Sequence, residues 1–328
     1  MNTNKHSVKD LLADNATIVI LVVLCLIVTI LRPKFITPDN IMNVLSAATV
    51  TGCMALGMTF VIISGGIDLA AGAEVAFAGV LGASFGQTAT AAAGKVFDGL
   101  PQLPFIIPVL VSVAAAVLIG ALNGFLISHF NTPPFIVTLG MKTVLRGATL
   151  LITGGEPVSN LTPGYTALGS NIFHIVPVSV LVFAVLIIIS SVILRMTKFG
   201  KDVYAIGSNE RAASVSGVKV PFRKCMLYGY AGLMYAIAGL IIAARASSIH
   251  PGAAEGYELI AIASCVIGGA SPSGGTGSIR TTVIGALIIS VLRNGLTLLG
   301  IESNWQQIAV GLVIVVACAF DVRRNSSR

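Results

Sequence analysis

Charge is what this chain has least of. Only 10% of its 328 residues are Asp, Glu, Lys or Arg, against about 25% in a soluble domain. The apolar residues make up 55%, and mean hydropathy is +0.93. A soluble fold of this size cannot hide that much apolar surface. Cysteines number five (Cys25, Cys53, Cys225, Cys265 and Cys318), all in or beside apolar runs and none in a C-x-x-C pair. Metal and disulfide readings are therefore poor, and small packing residues are expected instead. Net charge is +7, but the basic residues gather at the ends of apolar runs with no interleaved aromatics, which excludes a nucleic-acid surface. No G-x-x-x-x-G-K-[ST] occurs: Gly94-Lys95 is followed by Val96, and Gly200-Lys201 by Asp202. The chain therefore does not hydrolyse ATP through a phosphate-binding loop. H-E-x-x-H is also missing, and His6, His129, His174 and His250 are scattered near the ends of apolar runs. No catalytic residue, metal or cofactor is expected.

What is present is a series of ten apolar segments, at about 16–31, 41–64, 69–86, 104–127, 134–153, 174–195, 223–244, 257–269, 279–299 and 304–321. Several approach the ~20 residues that carry a helix across the hydrocarbon. The expectation is an all-α integral membrane protein, a polytopic helical bundle of about ten spans, or eight if two short segments are submerged. Lys5 and Lys9 precede the first run as in a signal peptide, but Arg32-Pro33-Lys34 follows it and no small-x-small site does. It reads as a retained first span. With ten spans and both termini cytoplasmic, thirteen Lys and Arg lie on inside segments and four outside. That bias favours this orientation, with Arg32 and Lys34 as the contrary signal.

The spans are rich in small residues, and Gly120-A-L-N-Gly124 fits the G-x-x-x-G pattern. Such residues let helices approach closely in lipid, either within the bundle or at a dimer face. Two Gly-rich breaks, at 64–72 and 268–277, interrupt the apolar pattern at corresponding places in the two halves, a hint of an internal repeat. They read either as tight turns or as irregular backbone lining a permeation path. Charges inside the spans are few: Asp68, Glu74, Lys142, Arg146 and Arg293. On one continuous helix Asp68 and Glu74 would lie about 240° apart and share no face; Asp68 reads alternatively as an N-cap. Lys142 and Arg146, four apart, share a face and need water, a carboxylate or headgroups. Local pairing with Arg245 is expected for Glu255 and Glu258.

The polar island at 198–224 carries six basic residues with Asp202 and Glu210 among them. Its basic ends place it in the cytoplasm. Residues 203–216 read as one short helix, capped by Ser208 or Asn209 and ended by Gly217. It suits docking into another protein's groove, or lying on anionic headgroups.

Several motifs now combine. They are F-I-T-P-D-N-I-M-N-V-L at 35–45, A-L-G-M-T-F-V-I-I-S-G-G-I-D-L at 55–69, L-R-G at 145–147 and G-x-x-x-Y-A-I-G-x-N at 200–209. A-A-x-x-S-G at 212–217, G-Y-E-L-I-A-I-A at 256–263, G-G-x-S-x-x-G-G-x-G at 268–277 and N-G-L at 294–296 complete the set. Over nearly the whole chain the sequence resembles the permease subunit of ribose-type monosaccharide ABC importers. Ala70, Pro272 and Thr276 depart from that pattern. The resemblance implies a single permease domain over 1–328 with a cytoplasmic coupling loop at about 198–222, in a bacterial inner membrane. It implies an ATP-binding-cassette ATPase, a periplasmic sugar-binding protein and a second permease copy, identical or paralogous, as partners, with a monosaccharide as substrate. Tyr204, Gly207, Asn209, Glu210, Ala212, Ala213, Ser216 and Gly217 would couple to the ATPase. Gly65, Gly66, Asp68, Gly268, Gly269, Ser271, Gly274 and Gly275 would shape the path or its gates. An ion-coupled carrier of a small polar solute is the alternative from another class.

Overall fold

The computed structural model describes residues 16–89, 94–172 and 176–325. Lys5, His6, Lys9, His174 and Arg328 lie outside the described residues, as do the side chains of Cys318, Arg323 and Arg324. The long elements are α1 (Ala16–Leu31), α2 (Pro38–Ile63), α3 (Ala71–Phe85), α4 (Ile106–His129) and α5 (Pro134–Thr153). After a one-turn α6 (Pro163–Thr166) and a short hairpin of β1 (Asn171–Ile172) and β2 (Val176–Pro177), the chain continues as α7 (Val178–Met196). The polar island forms α8 (Lys198–Ser208) and α9 (Glu210–Val215). The remainder is α10 (Val220–Ala246), α11 (Tyr257–Ile267), α12 (Ile279–Leu298) and α13 (Ser303–Asn325). Each of the ten apolar segments has become a helix. Among the described residues six of them (α2, α4, α5, α7, α10 and α12) are long and apolar enough to cross a membrane. At 11 residues, α11 spans only about 17 Å, roughly half of a hydrocarbon core.

Composition sorts the helices by depth. α2 is apolar all round, and every residue from Ala48 to Ile63 is buried, as such a helix must be. α10 lies beside it and packs on α2, α3 and α4. The outer helices turn large apolar side chains outward, such as Ile30, Leu118, Leu151 and Ile188. In water these would form patches far larger than a soluble surface tolerates; facing lipid they carry no penalty.

The contact between α4 and α10 explains the glycine pattern. A Cβ at Gly120 would strike the Tyr228 carbonyl, one at Gly124 the Lys224 carbonyl, and one at Gly232 the Ala116 carbonyl. The G-x-x-x-G of α4 is therefore an internal seam, where two backbones touch without side chains between them. At the end of the bundle away from α8, the connecting segments clip together. Val158 and Ile249 exchange backbone hydrogen bonds of 2.9 Å, and Gln87 bridges Leu161.

Candidate functional site

The island is two helices and not the single one expected over 203–216. Asn209 breaks it: its extended backbone ends α8, and its side chain accepts the Ala212 N–H at 2.9 Å to start α9. Thr197 caps α8 in the same way through the Gly200 N–H. α9 closes with the Gly217 N–H donating to Ser214 and the Val218 N–H to Ala213, a Schellman cap that follows Ser216. Two ion pairs hold the island to the start of α10: Arg223 to Asp202 at 2.6 Å and Lys224 to Glu210 at 2.8 Å. Part of the basic charge is thus spent within the chain, and Glu210 has its partner there. Ala213 is buried against Ile206 and Val220, so it belongs to the loop's own core. The outward face of α9 is instead Arg211, Ala212, Ser214 and Val215, with Val215 90% exposed.

The inner face of α8 meets both Gly-rich breaks. Tyr204 donates from its hydroxyl to the Gly277 carbonyl at 2.7 Å. Burial pushes its phenol pKa up, opposed by Arg195, so the proton stays available for that bond. A Cβ at Gly207 would strike the Ile63 carbonyl and the Gly275 nitrogen. The same Ile63 carbonyl accepts the Gly275 N–H at 2.8 Å. Gly274 lies against Gly207 and Gly65.

Both breaks open alike. After α2, Gly65 takes φ +79°, with its N–H on Ile62 and that of Gly66 on Val61. After α11 and the cap residue Gly268, Gly269 takes φ +83°, with its N–H on Val266 and that of Ala270 on Cys265. Left-handed backbone at these two positions favours glycine. The repeat hinted at by the sequence is therefore a shared helix-ending geometry, and the breaks are joined to one another at Ile63 and Gly275. Ser271 closes the second as a turn, its carbonyl accepting the Gly274 N–H at 2.9 Å.

The charges inside the bundle do not sit as the sequence suggested. Asp68 precedes α3 and accepts the Ala70 N–H at 2.9 Å, but it is not the cap residue, which is Ala70. Because Asp68 lies outside the helix, before its cap residue Ala70, the 240° separation does not apply. Both are fully buried. Glu74 accepts from Asn123 at 2.9 Å, and the Tyr235 hydroxyl faces Asp68. Glu258 pairs with Lys142 at 2.5 Å and not with Arg245. Arg146 donates to the Pro251 and Ala253 carbonyls, and Arg245 to the Ser46 carbonyl at 2.9 Å. Asn123, Tyr228 and Tyr235 were not singled out from sequence. Polar groups within the apolar runs of α4 and α10 were the available signal.

A cavity of about 720 Å³ opens between α2, α10, α11, α12 and α13. Asn43, Thr51, Arg245, Tyr257, Arg293 and Asn294 supply its polar wall. Of these, the sequence had marked only Arg293 as an intramembrane charge. The lining is drawn from helices distant in the chain, so no local motif announces it.

Residues 40–318 match the family described as "Branched-chain amino acid transport system / permease component". The ribose import permease protein RbsC of Bacillus subtilis (strain 168) is 42% identical over 93% of this chain and 92% of its own length. The galactose/methyl galactoside import permease protein MglC of Escherichia coli (strain K12) is 35% identical over 97% of this chain and 96% of its own. The ribose import permease protein RbsC of that organism is 36% identical over 98% and 97%. No solved structure matches. The apolar helices and the matched family define a multi-pass permease of the bacterial inner membrane. The chain belongs to the ribose-type ABC importer permeases, a family of transport subunits and not of enzymes.

Proposed function

We propose that this chain carries a monosaccharide from a periplasmic binding protein into the cytoplasm, driven by ATP hydrolysis on a partner subunit. The observation that carries the reading is the placement of α8. One face of it touches both Gly-rich breaks, while α9 beside it turns Val215 outward. A push on α9 from an ATPase reaches Gly207, then Ile63 and Gly275, without crossing a flexible linker. The excess of Lys and Arg puts this loop inside, and α10, long enough to cross, then puts the segment at 247–256 outside. A second permease copy would complete the path, and lipid the outer faces. The relatives named above import ribose and galactose, which supports a sugar over a branched-chain amino acid.

The test compares two substitutions in the assembled importer. Val215→Asp should abolish ATPase copurification or ATP-driven uptake while the protein remains folded in the membrane. Ala213→Asp should unfold the loop itself, because Ala213 is 5% exposed. Normal uptake and ATPase binding with Val215→Asp would overturn the coupling role. The buried Asp68 and Glu74 favour one competing reading, an ion-coupled carrier. That reading predicts uptake by this chain alone under a proton or sodium gradient, abolished by Asp68→Asn. Our reading predicts no uptake without the ATPase.

A further inference from the structure

We infer that the cavity between α2, α10, α11, α12 and α13 is a holding site for the sugar at the end of the bundle remote from the ATPase, with Arg245 and Arg293 as its hydrogen-bond donors. The inference rests on the function proposed above and names the residues of this chain that meet the cargo.

Position comes first. Arg245 stands 25 residues beyond Val220 on α10, which is about 38 Å along a helix. Val220 packs against the island. On α2 the cavity is lined from Asn43 to Thr51, while Ile63 at the other end touches Gly207. The cavity and the coupling loop are therefore at opposite ends of the same two buried helices. In the orientation proposed above, the cavity faces the side from which sugar arrives.

Chemistry comes second. The wall holds two guanidinium groups and no Asp or Glu. Among the described residues neither group has a carboxylate within ion-pair distance. Arg245 places one N–H on the Ser46 carbonyl, and Arg293 lies 5.6 Å over the Tyr257 ring. A guanidinium has five N–H donors and accepts nothing, so each retains donors for the cavity. Asn43, exposed in the same wall, adds a side-chain amide that both donates and accepts. The ligand must be rich in acceptors and able to donate as well, which a hexose or pentose is. A cation is repelled by the same wall, so the site admits sugar without offering a cation a resting place. The volume of about 720 Å³ falls in the range of small-molecule sites.

The experiment uses the complete importer, with its ATPase and binding protein, in proteoliposomes, and D-ribose and D-galactose as probes. Arg245→Gln and Arg293→Gln should each lower uptake turnover about tenfold, the scale of one lost charge-assisted hydrogen bond. Stimulation of the ATPase by the binding protein should persist. Asn43→Leu, an exposed position of the wall whose change leaves the core intact, should lower turnover by a few-fold and guards against misfolding as the cause. Independently, Ala47→Cys on the cavity wall is treated with anionic and cationic methanethiosulfonates of similar size. The anionic reagent should react faster than its ratio with a free thiol predicts, the sugar should slow both, and the preference should vanish in Arg245→Gln/Arg293→Gln. Labelling by the two reagents in their free-thiol ratio, or uptake unchanged in all three variants of an importer that works, overturns the cavity assignment alone. An unsubstituted complex that imports no monosaccharide its binding protein binds overturns the transport reading, and this proposal with it.

Discussion

Gly207, Ala213 and Glu258 each show how a residue's meaning depends on what it touches. Gly207 is small because two breaks of the chain meet against it. Ala213 is small because α9 packs there on Ile206 and Val220, so its size serves the loop's fold, while Val215 is the apolar residue of α9 left exposed. Glu258, 3% exposed, is held by Lys142 at 2.5 Å. Removing only Lys142 leaves a carboxylate charge buried among apolar helices. Because Lys142 is itself 29% exposed, we expect Lys142→Met to cost about 3 kcal/mol, the low end for breaking a buried pair. The double variant Lys142→Met/Glu258→Gln should recover most of that. Thermal unfolding in detergent compares them, and a double variant no more stable than the single would show that the pair is not what holds α5 to α11.

Among the elements, the α4–α10 seam and the capped breaks carry the architecture. Gly120 and Gly124 bring α4 onto α10 by bare backbone, so Gly124→Leu must push the two helices apart. The expected loss is about 1–3 kcal/mol of stability, the cost of overpacking a close contact. Permease–permease association should be unchanged in whatever protein folds, as measured by the oligomeric state in mild detergent. A variant that folds normally but fails to self-associate would return the motif to the dimer face. The shortness of α11 was legible in its brief apolar run between Gly256 and Gly268. The split of the island at Asn209 was not, because a capping residue in mid-helix and one between two helices look the same in sequence.

Across the whole molecule, the long axis of α2 and α10 separates two working ends. One carries the α8–α9 loop on the joined breaks, the other the cavity and the clipped segments near Val158 and Ile249. The proposed topology is checked by single cysteines in a background of the native ones. Ser216→Cys should react with impermeant reagents only in inside-out vesicles, and His250→Cys only in right-side-out vesicles. Labelling of both from the same side would refute the ten-crossing arrangement.

The sequence alone decided the solvent, the helices and the family. Apolar length dictates a lipid-facing helix whatever its neighbours are, and the matched motifs run along the chain, where sequence is read. Which groups meet was decided only by tertiary structure. Glu74 meets Asn123 of a neighbouring helix, and Glu258 takes Lys142 in place of Arg245. The cavity gathers Asn43, Arg245, Tyr257 and Arg293 from four helices. Lipid offers no hydrophobic pull between helices, so close packing and hydrogen bonds choose the neighbours. Those choices lie across the bundle, where no local pattern records them.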